Sequence, residues 1–134
     1  MKRARSSLGF FGVFGRSGDL RQLDGALRAA GVHPALVPEG VKLAAVNLMK
    51  DEHGGAMPPA ETYAPAARLL AYCILGAEQF EGIEGGDVRM AVERRIETAS
   101  DAGEGLDASL VLLLVHAKLI RPEVVAAFDL RAEE

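Results

Sequence analysis

A chain of 134 residues that is 49% apolar can bury one core without staples, and its single cysteine, Cys73, excludes an internal disulfide framework and any multi-cysteine metal site. With no tryptophan and 5% aromatic residues among much alanine and leucine, the composition reads as closely packed helices rather than sheets. The net charge of −4 argues against strong phosphate binding, but the charge is uneven: residues 1–50 carry eight basic and three acidic side chains, residues 51–134 seven and sixteen, so the first half should attract the second half, a second subunit or an anionic partner.

Residues 1–18 read as an irregular arm. In LGFFGVFGRSGD (8–19) glycine falls at every third position, at Gly9, Gly12, Gly15 and Gly18, with Phe10, Phe11 and Phe14 between. Each such glycine weakens a helix by about 1 kcal/mol relative to alanine. Residues 19–134 read as a single helical domain. The first helix starts near Asp19, with Ser17 or Asp19 as its cap, carries Leu20, Leu23, Leu27 and Ala30 on one face, and ends at Gly31. HPALVP (33–38) is a bend, and Pro38 opens a second helix to about Glu52 with Val41, Ala44, Ala45 and Leu48 inward.

After a loop at 53–59, a third helix runs from Pro59 or Ala60 to Leu75, closed by Gly76, with Leu69, Leu70, Cys73 and Ile74 among its apolar positions. Residues 77–86 read as a short helical turn or loop. A fourth helix begins near Gly86-Asp87, with Asp87 as N-cap and Val88, Val92, Ile96 and Ala99 along its face. DAGEGL (101–106) is a turn, and Asp107 caps a fifth helix through Ile120. Its centre, LVLLLV, is apolar on every side, which predicts the buried helix that others surround. Pro122 opens a last helix to about Leu130. The expectation is all-α: one compact bundle of five to six helices around a central apolar helix, with an irregular glycine- and phenylalanine-rich N-terminal arm.

The opening stretch does not fit a phosphate loop, which needs lysine and then Ser or Thr after its last glycine; here Gly18 is followed by Asp19. Nor does the chain offer the βαβ unit of a dinucleotide site. Lys2, Arg3 and Arg5 before an apolar stretch imitate a signal peptide, but Arg16 and Asp19 stand where a small-residue cleavage site belongs. No apolar run approaches the ~18 residues of a membrane span. The expectation is a soluble, cytoplasmic protein.

Metal ligation finds no Glu-x-x-His and no paired histidines around His33, His53 or His116. Glu78, Glu81, Glu84 and Asp87 form an acidic row at spacing three, and glycines at 82, 85 and 86 make it an exposed surface rather than a cation loop. No metal and no cofactor are expected. Cys73, between Tyr72 and Ile74 on an apolar face, reads as a packing thiol. His116, after LVLLLV, is the most interesting titratable group, and with Tyr72 and Cys73 it forms the weak catalytic set. The helices around the 101–106 turn resemble a helix-turn-helix in outline only, since LVLLLV cannot lie in a DNA groove, so no nucleic-acid partner is expected.

The function read from these residues is non-catalytic: a small helical protein acting through protein–protein association, as a homodimer or adaptor, with Phe10, Phe11 and Phe14 as interface anchors. Glu78, Glu81, Glu84 and Asp87 are a second candidate surface. The alternative is a small-ligand protein or enzyme with an inter-helix pocket near His116. A third reading is peripheral membrane association through the arm.

Overall fold

The computed structural model describes residues 18–130. The arm and its phenylalanines, Phe10, Phe11 and Phe14, lie outside the described residues. Within them the chain is helical and holds no strand: α1 Gly18–Ala29, α2 Glu39–Glu52, α3 Tyr63–Leu75, α4 Ala77–Glu84, α5 Gly86–Ala102, α6 Leu106–Ala117 and α7 Pro122–Phe128. Short 3-10 turns at Pro34–Leu36 and Ala60–Thr62 precede α2 and α3.

Seven helices stand where five to six were expected. The addition is α4, a regular helix in a segment whose glycines read as a turn. Gly76 makes it possible. Its φ of +91° belongs to the left-handed half of backbone space, where glycine is at ease. There it closes α3 through its N–H to the Tyr72 carbonyl (2.9 Å) and opens α4 through its carbonyl to the Phe80 N–H (3.0 Å). One residue therefore joins two helices, and Gly85 joins α4 to α5 in the same way.

Two predicted caps are corrected. The residue before α5 is Gly85 and that before α6 is Gly105, so Asp87 and Asp107 sit inside the first turns. There a carboxylate still faces the positive end of the helix dipole. Asp107 gains a second task, a two-pronged pair with Arg95 (2.8 and 3.0 Å) that clamps the α5–α6 turn. The third Arg95 nitrogen reaches the Pro65 carbonyl (3.0 Å) and holds the start of α3 to the same turn.

The helix at the centre is α3, not the apolar α6. Eight of the thirteen α3 residues are buried, and α3 packs against α1, α4, α5 and α6. Alanines at 66, 67 and 71 let those neighbours approach closely. α6 packs against α2, α3 and α5 but buries only Ala108, Leu110, Val111 and Leu114. Leu112, in the middle of its apolar run, is left 39% exposed. α6 also stops at Ala117, because Lys118 turns left-handed (φ 60°). One cluster of buried side chains takes members from all seven helices, with Leu23, Leu27, Leu69, Leu70, Leu110 and Leu114 essentially sealed.

Candidate functional site

Among the described residues, three hollows and two polar clusters could carry function. The polar cluster between α3, α4 and α5 begins at Tyr72. Its ring is buried and meets Phe80 and Phe128 edge-on, with centroids 5.6 and 6.3 Å apart. Its hydroxyl donates to Glu93 (2.7 Å), which also accepts from Arg89 Nε (3.0 Å), while another Arg89 nitrogen donates to Glu81 (2.6 Å). Burial, then the Glu93 hydrogen bond and charge, hold the Tyr72 phenol protonated well above its usual range. The Glu81 and Glu93 hydrogen bonds keep the Arg89 guanidinium charged. Every polar group in this chain of contacts has a partner, so it works as a tie between three helices.

Next to Tyr72, the Cys73 thiol is fully enclosed and burial pushes it up to about 12. A thiol so placed is no nucleophile at neutral pH, because the thiolate is the reactive species. His116 is exposed on the last turn of α6 and lines none of the three hollows. Tyr72 and Cys73 line none of them either. The three weak catalytic candidates are therefore not gathered around any of these three hollows.

The acidic row is also divided. Glu81 pairs with Arg89 and Glu84 with Arg68 (3.6 Å), while Glu78 and Asp87 are exposed on different helices across Gly85. Among the described residues no group of three or more His, Cys, Asp or Glu side chains is placed to hold a metal ion. No helix of the described residues is long and apolar enough to cross a membrane.

A second polar cluster, between α1, α2 and the start of α3, was not legible in the sequence. Lys42 is buried, with its ammonium 3.1 Å from Asp24 and 3.3 Å from the Pro34 carbonyl. Asp19, equally buried, pairs with Lys50 at 3.0 Å. The Tyr63 hydroxyl is enclosed there without a hydrogen-bond partner, and burial with the Asp19 charge raises its pKa. Lys42 stands between Val41 and Leu43 in the sequence, and only tertiary packing decides which of the three turns inward.

The hollows lie around one end of the bundle. A cleft of about 370 Å³ opens between the C-terminal half of α5, α6 and the residues after α7. Its walls are Ile96, Ala99, Val111, Leu112 and Leu130, with Ser100 and Asp129 as polar members. Ala99 also lines a second, wider hollow at the α5–α6 turn, with Glu52, Arg94, Arg95, Thr98, Glu104 and Asp107. Arg95 and Leu106 in turn line a third, of about 230 Å³, with Met49, His53, Thr62 and Ala66. Six polar or charged side chains line the second hollow, whereas the first has two, Ser100 and Asp129, among apolar neighbours. The cleft residues were missed as a site because Ile96, Ala99 and Val111 sit at ordinary core positions. The available signal was α6 itself, whose all-round apolar surface needs cover on every side.

No family model matches the chain, and no curated protein or solved structure matches it at a significant level.

Proposed function

We propose that the protein acts through protein–protein association, as a homodimer or an adaptor-type module, with Phe10, Phe11 and Phe14 as its contact anchors. The observation that supports this most is the cleft beside Leu112, where a helix greasy on all sides leaves a large apolar side chain to solvent. Clefts of this kind are what partner side chains fill. Further large apolar side chains stand in solvent, Leu36 at 61% and Met57 at 57% exposure among them. A single buried thiol fits a reducing compartment, so the cytoplasm is the location that goes with this reading.

The experiment is light scattering on the intact chain and on a chain lacking residues 1–16. The expected result is a dimer for the first and a folded monomer for the second. Two monomers with the same thermal midpoint would remove the reading.

A small-ligand reading has one observation in its favour: the cleft volume falls within the ~300–1,000 Å³ of ligand sites. It would centre on Ser100 and Asp129 rather than on His116. Two polar side chains are few orienting groups for such a ligand, which places it second. Membrane association through the arm remains third and predicts lipid-dependent sedimentation that disappears without residues 1–15.

A further inference from the structure

We propose that the exposed apolar loop at residues 56–60 is the seat of Phe14 of the same chain, so that the root of the N-terminal arm is strapped down beside the start of α1. The docking itself needs no partner; only its consequence for Phe10 and Phe11 rests on the association reading.

The loop reads Ala-Met-Pro-Pro-Ala, five apolar residues in a row, and all but Pro58 are exposed. A run of exposed apolar residues of this length calls for cover. Met57 is one of the most exposed large apolar side chains of the described residues and stands outside their buried cluster. The loop also lies where the arm joins the fold. Asp19 pairs with Lys50, which sets the start of α1 against the last turn of α2, and the loop follows that turn. Gly18 is so close that a methyl group built on its Cα would be 4.0 Å from Met57 Cε.

This position selects the occupant. Phe14 is four residues before Gly18, within at most about 14 Å at full stretch. Gly15, between them, lets the chain turn back on itself. On so short a tether the ring meets the loop at an effective concentration on the order of millimolar, which favours it over the same ring of a second copy. Met57 suits an aromatic occupant, because its flexible thioether fills irregular apolar gaps and its sulfur makes favourable contacts with ring edges. Charge agrees. Residues 1–17 hold Lys2, Arg3, Arg5 and Arg16 and no acidic residue, while residues 51–62 hold Asp51, Glu52 and Glu61 and no lysine or arginine. With Phe14 held, Phe10 and Phe11 project on a shorter tether, and a partner that takes them orders less chain.

The test uses the full chain with ¹³C-labelled methionine methyl groups. The expected result is a nuclear Overhauser contact between the Met57 methyl and the Phe14 ring that keeps its strength on dilution. Phe14→Leu should move the Met57 methyl signal to that of a solvent-exposed methionine, while Phe10→Leu and Phe11→Leu leave it in place. Trypsin gives a second readout, since Arg5-Ser6 and Arg16-Ser17 offer it the same pair of residues. The ratio of cutting at Arg16 to cutting at Arg5 should rise about tenfold in Phe14→Leu and in Met57→Ser, because cleavage tracks the undocked population. Met57 is exposed, so Met57→Ser should keep the helical far-UV spectrum. A Met57 signal and a cutting ratio both indifferent to Phe14 would overturn the seat. A contact seen only between differently labelled copies would give the seat to a second chain and overturn the proposal. The association reading fails separately, by a monomeric mass of the intact chain, with the Met57–Phe14 contact still present.

Discussion

Cys73 is fully buried in α3, the helix that four others pack against, and its thiol stays protonated far beyond the ordinary range. In the unfolded chain the same thiol ionises near 9, in the folded chain near 12. Between those values the unfolded state has shed a proton that the folded state keeps, so stability falls as pH rises. The contribution is fully present below about 9 and is lost as pH climbs through the folded value. Tyr63 and Tyr72, both raised by burial, have the same sign. The urea midpoint should therefore drop steeply above pH 9, and less steeply for Cys73→Ala. A maleimide should label Cys73 only as the chain unfolds. The packing role of this residue was legible because Leu69, Leu70 and Cys73 repeat at helical spacing. The exposure of His116 was not, because a helix apolar in every direction has no phase from which to tell its inner side.

At the scale of elements, α4 is the weakest piece. It has eight residues, too few to be stable alone, and Phe80 is its one buried side chain. Phe80→Ala should cost about 3–5 kcal/mol, as large-to-small changes in sealed sites do. Amide exchange should show residues 77–84 losing protection before the rest. Arg68–Glu84 and Arg89–Glu81 bind α4 from two sides, but Arg68, Arg89 and Glu81 stand partly in water, which screens both pairs. The sequence hid this helix behind Gly76, Gly82, Gly85 and Gly86, which read together as a loop. Two of them, Gly76 and Gly85, are helix joints. Elsewhere the helix starts were legible to within a residue or two, as at Pro38 and Pro122, except that α3 begins at Tyr63, after a 3-10 turn, rather than at Pro59 or Ala60.

For the whole molecule, helix content and order could be read from periodicity, but arrangement could not. Hydropathy nominated α6 for the centre because it is the most apolar segment. Packing put α3 there because alanine at 66, 67 and 71 admits neighbours on several sides, and small residues carry little weight in a hydropathy count. The displaced α6 keeps a greasy side outward, and this lies behind the association reading. The joints at Gly76 and Gly85 have a consequence for how the chain can change over generations. Length can vary at residues 53–57, where every side chain is exposed. It cannot vary between 76 and 85, where there is no slack. One residue added between Gly76 and Phe80 would swing Phe80 by about 100° away from Tyr72. A scan of single-alanine insertions read out by soluble yield should find tolerance at 53–57 and collapse at 77–79, so the reading frame of this fold is kept by its glycines.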